Sequence, residues 1–153
     1  MKAKKLLPLV IMGLLLLFTA SNAQDYKHPF GLVDSKGKVT DPDGNHLGTV
    51  TPEGTIKDAS GTTIAHINAA GNVVDTKTGK VIGHAPKNGN FVYYYPENQK
   101  DSLLTTQPLN GTCEVTDSKG KKVVSVHENY KHIGACAYHC LYKKKHGEKT
   151  KTK

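Results

Sequence analysis

"DPDGNHLGTVTPEGTIKDASGTTIAHI", residues 41–67, states a phrase and restates it: "DPDGNHLGTV" is answered seventeen residues later by "DASGTTIAHI". With each unit started at a glycine, three copies align as residues 37–53, 54–70 and 71–88, the last with one inserted residue. Val39, Ile56 and Val73 correspond, as do Asp41, Asp58 and Asp75, then Gly44, Gly61 and Gly79, then Leu47, Ile64 and Ile82, then Gly48, Ala65 and Gly83. A fixed period marks a repeat architecture, in which each unit buries its apolar side only against its neighbours.

Within a copy, two short runs with apolar or β-branched residues at alternate positions are separated by Asp-x-x-Gly and then by Thr-Pro-Glu-Gly or its equivalent. Each run reads as a strand. Asp at the first turn position can bond the backbone, Pro42 presets φ at the second, and the closing glycine accepts a positive φ. The spacing leaves room for strands of about five residues joined as hairpins. Gly89 opens a fourth copy, and residues 111–126 return with Val115, Asp117, Gly120 and Val123 in the expected places. The expected fold is all-β, with almost no helix. It is a pseudo-symmetric ring of about five short antiparallel hairpins with a period of about 17 residues. The regular repeats cover residues 31–95, an irregular insert covers 96–110, and a diverged repeat covers 111–142.

The repeat, the apolar-Gly step seen as "LG", "IA" and "IG", and the "YYY" run after the third copy resemble the five-fold β-flower proteins, small secreted proteins of Bacteroidetes-type bacteria. The resemblance covers residues 31–95 well and 111–141 more loosely. It implies a ring of hairpins and no particular reaction.

The first 23 residues place Lys2, Lys4 and Lys5 ahead of an apolar run and end on Ser21, Asn22 and Ala23. This is the pattern of a secretory signal, cleaved after Ala23 to leave a chain beginning at Gln24 with no membrane span. The expected location is the periplasm or the cell exterior. The net charge of +8 is unevenly placed: three lysines lie in the leader and six in residues 143–153 against the single acid Glu148, so residues 24–142 balance. A Lys-rich tail from Lys143 without an apolar anchor is expected to be disordered, touching anionic polymers by charge alone. The chain has no Arg, which argues against specific phosphate or nucleic-acid recognition.

Candidate chemistry is sparse. Asp41, Asp43 and Asn45 begin like an EF-hand loop, but His46 stands where that loop needs Gly and Pro52 where it needs Glu. Turn chemistry accounts for these acids without a metal. Cys113, Cys136 and Cys140, with His139, form the densest cluster. Export favours a disulfide from Cys113 to Cys136 or Cys140, followed by buried free thiols, with a Cys₃His zinc site or a catalytic thiol as the weakest reading. On a strand, Cys136, Tyr138 and Cys140 would share one face, opposite Ala135, Ala137, His139 and Leu141. His66 and His84 hold equivalent repeat positions and read as solvent-facing. Phe91, Tyr93 and Tyr95 share one side of a strand and serve either as core or as a sugar-binding row.

The leading functional expectation is an exported, non-enzymatic structural or interaction module contacting an unknown envelope component, with no catalytic residue and no cofactor. The alternatives are a carbohydrate or envelope-polymer binder using Phe91, Tyr93 and Tyr95, and a thiol or zinc site at Cys113, Cys136, His139 and Cys140.

Overall fold

The computed structural model describes residues 30–94 and 100–149. Eleven strands follow one another: β1 (Gly31–Val33), β2 (Lys38–Thr40), β3 (His46–Val50), β4 (Thr55–Asp58), β5 (Thr63–Ile67), β6 (Asn72–Asp75), β7 (Val81–His84), β8 (Phe91–Tyr94), β9 (Lys100–Thr105), β10 (Thr112–Asp117) and β11 (Lys122–His127). Each pairs antiparallel with the next, and β1 pairs parallel with β11 to close a barrel. With an odd number of alternating strands the first and last run the same way, so closure has to be parallel. Closure also removes the free edges on which sheets aggregate.

The turns form as their residues predict. The carbonyl of Asp41 accepts from the Gly44 N–H at 3.0 Å, and that of Asp58 from Gly61 at 3.0 Å. The Asp41 carboxylate also accepts from the amides of Asp43 and Asn45, and the Asp58 carboxylate from those of Ser60 and Thr62. Gly44 and Gly61 sit at φ 82° and 87°, where an L side chain is strained although nothing lies within 4 Å.

The hairpins carry a feature that strict alternation misses. Val39 faces Gly48 while Thr40 faces His46, so Leu47 is an extra residue in β3. The same bulge leaves Ile64 extra in β5, Ile82 in β7 and Val123 in β11. A bulge puts two adjacent residues opposite one and bends the strand. This explains the "LG", "IA" and "IG" pairs: an apolar side chain joins the core beside a residue that must be small. A side chain at Gly83 would meet the Phe91 ring at 2.5 Å, and one at Gly48 would meet Leu141 at 2.9 Å.

After β11 comes a short 3₁₀ turn, Glu128–Tyr130, and then helix α1, Gly134–Lys149. This corrects the expectation of almost no helix: residues 134–142, expected in the diverged repeat, and 143–149, expected in a disordered tail, are helical, while residues 150–153 of that tail lie outside the described residues. The helix starts beside the β1–β2 and β7–β8 turns, where Tyr130 packs near Gly37 and Lys131 near Gly89. It ends where Lys144 pairs with Asp58 at 2.5 Å and Lys145 with Asp41 at 2.8 Å. It therefore threads the barrel. Ala135, Cys136, Ala137, Tyr138 and Leu141 are all buried, and Gly31 and Gly134 leave room for Tyr138 and Val126. Burying Tyr138 and Leu141 contributes roughly 1.5–3 kcal/mol each. A helix apolar on all sides suits an enclosed position, and lysines in its last turns complement the negative end of its dipole.

One smaller correction concerns the middle of the chain. Residues 100–105, expected in an irregular insert, form β9 and pair with both β8 and β10. That strand lacks the opening glycine by which the repeat was recognised. Among the described residues no helix is long and apolar enough to cross a membrane.

Candidate functional site

The helix does not sit centrally. It packs against β1–β4, β9 and β11, meets β8 through His139, and leaves a gap toward β5–β7. The contrast is clearest at the bulges. Of the four bulge residues Leu47 is 5% exposed and Ile64, Ile82 and Val123 are only partly buried; Ile64 and Ile82, unlike Val123, line a cavity of about 660 Å³. Ala65, Phe91, Tyr93 and the helix residues His139 and Cys140 complete its inner wall. Its mouth lies at the end of the Asp-x-x-Gly turns, among Thr62, Asp75, Lys77, Tyr94, Lys143 and Lys144.

The aromatic wall is ordered by contacts on both sides. His139 stacks on Tyr93 with ring centroids 4.0 Å apart and lies 5.4 Å from Phe91. Burial, aided by the positive charge of Lys143 and opposed by Asp101, holds its pKa down at about 4, so the ring is neutral near pH 7. The Tyr93 hydroxyl bonds to Asp101. Asp101 is itself held below the usual carboxylate range by the Ser102 amide, at 2.8 Å, and by Ser118.

At the mouth, acids and lysines differ in how far they are committed. The Asp75 carboxylate accepts from the amide and hydroxyl of Thr78 at 2.7 and 3.0 Å. Lys144 is bound to Asp58. Burial would raise the pKa of Asp41, but hydrogen bonds from Lys145 and Asn45 outweigh it and hold the group at about 2. Asp41 thus serves the turn and the helix anchor.

Phe91 and Tyr93, expected either as core or as a sugar-binding row, point into the barrel at 1% and 8% exposure and form the cavity wall. Tyr95 lies outside the described residues. Cys113, Cys136 and Cys140 are free thiols, all buried, as in the second of the expected readings. The helix turns Cys136 toward Cys140, one turn on, with which it shares a hydrogen bond, so the expected strand face of Cys136, Tyr138 and Cys140 does not exist. Burial pushes the Cys113 and Cys136 thiols up, which disfavours the thiolate that nucleophilic or metal chemistry requires. No group of three or more potential metal ligands is gathered among the described residues, so Cys113, Cys136, His139 and Cys140 do not assemble into a zinc site. His66 is exposed, and His84 bonds to Asn72 at 3.2 Å.

Sequence reasoning missed the cavity itself. Its only trace was the equivalence of Leu47, Ile64 and Ile82, which shows that three like residues exist but not that two of them lack cover.

A family model described as a protein of unknown function (DUF3659) matches residues 31–87, from β1 through the end of β7 and short of the helix. No curated protein and no solved structure matches the chain. The matched span includes Ile64, Asp75, Lys77 and Ile82 on one side of the cavity, and it resembles this family over that part of the chain.

Proposed function

We propose that the protein is an exported, non-enzymatic binding module of the bacterial envelope. In this reading it is a ring of five hairpins of β-flower type around its own helix, with a small ligand held between the helix and β5–β7. The observation that carries the proposal is the unequal cover of equivalent residues: Leu47 is sealed, while Ile64 and Ile82 face an open space. Apolar walls with a few polar groups at the mouth are the usual make-up of a small-molecule site, and the volume falls within the range of such sites. The lysine-flanked apolar leader supports export. Suppressed thiols and a neutral, stacked His139 support binding over catalysis.

Two measurements test this. N-terminal sequencing of the envelope fraction should find Gln24, and a chain still starting at Met1 there would overturn export. An uncharged apolar fluorophore should bind the purified protein at one site and be excluded by Ile82→Trp, which fills the cavity; binding that is indifferent to that substitution would overturn the site.

A further inference from the structure

We infer that the cavity takes an uncharged aromatic molecule bearing a hydroxyl group, its fused rings against Ile64, Ile82 and Phe91 and its hydroxyl on the edge of the His139 ring. The inference rests on the binding reading above and adds the chemistry of the ligand. Three features of the site argue for it.

The first is the hydrogen-bonding capacity of His139. Burial keeps the ring neutral near pH 7, so one ring nitrogen donates and the other accepts. One face of the ring is covered by Tyr93 at 4.0 Å, which leaves the edge that carries the nitrogens. Among the described residues nothing hydrogen-bonds to that ring, and no buried side-chain nitrogen or oxygen lacks a partner, so both nitrogens reach open space. The open space against His139 is the cavity. A hydroxyl both donates and accepts, and so satisfies either nitrogen in either tautomer.

The second is how little else on the inner wall can bond a polar ligand. The Tyr93 hydroxyl is bonded to Asp101, and the Cys140 thiol, a weak partner, shares a hydrogen bond with Cys136. Ile64, Ala65, Ile82 and Phe91 offer no such side-chain group. One good polar contact suits a ligand with one hydroxyl, whereas a sugar carries a hydroxyl on nearly every carbon and would leave most of them without water or partner. An ion lodged there would lose its hydration for no opposite charge. At the mouth both signs are present: Asp75 and Lys77 line it together, Lys144 is bound to Asp58, and Lys143 is engaged within the protein.

The third is shape. The helix wall of His139 and Cys140 faces the sheet wall of Ile64 and Ile82, and the Phe91 ring, tilted 57° to His139, closes one side. A flat aromatic body can lie on the isoleucine branches and meet the Phe91 ring, a contact that aromatic pairs favour. A fused two-ring system fits within the cavity of about 660 Å³.

The test uses the chain from Gln24 to Lys153 and four probes substituted at one ring position: naphthol, methylnaphthalene, naphthoate and decalol, the saturated counterpart of naphthol. Calorimetric titration at neutral pH should show naphthol binding at one site, decalol about fivefold more weakly, and naphthoate about tenfold more weakly. His139→Phe keeps a ring against Tyr93 and removes both nitrogens. It should weaken naphthol about tenfold and leave methylnaphthalene within about twofold; His139→Leu takes its place should that variant fail to fold by its thermal melt. Ile82→Trp, or Ile64→Trp on the same condition, should abolish both. Naphthol and methylnaphthalene responding alike to the loss of His139, with both lost in the tryptophan variant, would overturn the hydroxyl assignment while leaving the binding site standing. Decalol or naphthoate binding as tightly as naphthol would likewise overturn the aromatic or the uncharged assignment alone. Binding of naphthol that survives both tryptophan variants, or no binding of any probe to the unaltered chain, would overturn the inference and the binding reading together.

Discussion

Acid should loosen this protein through one histidine, well before its carboxylates respond. His139 has an ordinary pKa of 6.5 and is held near 4 in the fold, first by burial and then by Lys143. As pH falls through 6.5 the unfolded chain takes up a proton that the folded chain refuses until about pH 4. The unfolded state binds more protons in that window, so stability rises with pH across it and is lost on acidification. The full shift corresponds to about 3 kcal/mol, of which about 2 kcal/mol is lost by about pH 5. For a domain of this size that loss lowers the melting temperature by roughly 10 °C. Melting followed by circular dichroism, at constant ionic strength from about pH 7.5 down to about pH 4.5, reads it directly. His139→Phe keeps a ring of similar shape against Tyr93 and Phe91 and removes the titration, so its melting temperature should stay nearly flat over the same range. Asp41 and Asp58 have folded pKa values below the unfolded 3.8, so their contributions are lost only at lower pH and do not intrude. A His139→Phe variant with the same acid loss as the parent would refute the reasoning.

Four further outcomes follow from the same coordinates of charge and space. Gly44→Val and Gly61→Val should each cost on the order of 1 kcal/mol, because both glycines hold positive φ; unchanged urea midpoints in both would refute the turn assignment. Gly134→Val should cost more than either, about 2 kcal/mol or above, since its side chain would meet Val126 inside the barrel, and an unaltered melt would place the helix elsewhere. Truncation after Tyr142 removes the partners of Asp58 and Asp41 and should lower the melting temperature by several degrees, about 1–2 kcal/mol, where a disordered tail would leave it unchanged. Cys113 and Cys136 should resist alkylation in the folded protein at about pH 8 and react fully after unfolding; rapid modification of both in the native state would contradict their burial.

The features legible in the sequence were those fixed by neighbours a few residues apart. Asp41 and Gly44, or Asp58 and Gly61, carry their turn in four residues, so pattern and geometry agree. The helix was illegible for a physical reason. Between Ala135 and Leu141 nearly every side chain is buried, so no polar stripe marks a 3.6-residue period, and the alternation of Ala and Cys with larger residues imitates a strand. The bulges were half legible: the apolar-Gly step was visible at Leu47, Ile64 and Ile82, but two adjacent inward residues break the period of two on which strands are read. The cavity depends on where a distant helix leans, a tertiary property that no local pattern encodes. His139 was noticed for its proximity to cysteines, whereas its partners are the aromatics of β8.

The parallel seam between β1 and β11 sets an order of events during synthesis. Gly31 pairs with Val124 and Val33 with Val126, so the first strand has no lasting partner on one side until nearly the whole chain has emerged. Contacts so far apart in sequence form slowly, because a long loop must close before they stabilise anything. Until then β1 presents an unpaired edge, and so does the end of the growing sheet. Two nascent chains at high local concentration can satisfy those edges in each other by exchanging β11 and the helix that follows it, giving a dimer in which the native contacts of those two elements are made between copies. The threading helix, emerging last, then acts as the bolt that commits the chain to one arrangement: once Lys144 and Lys145 reach Asp58 and Asp41, exchange requires drawing the helix back through the barrel.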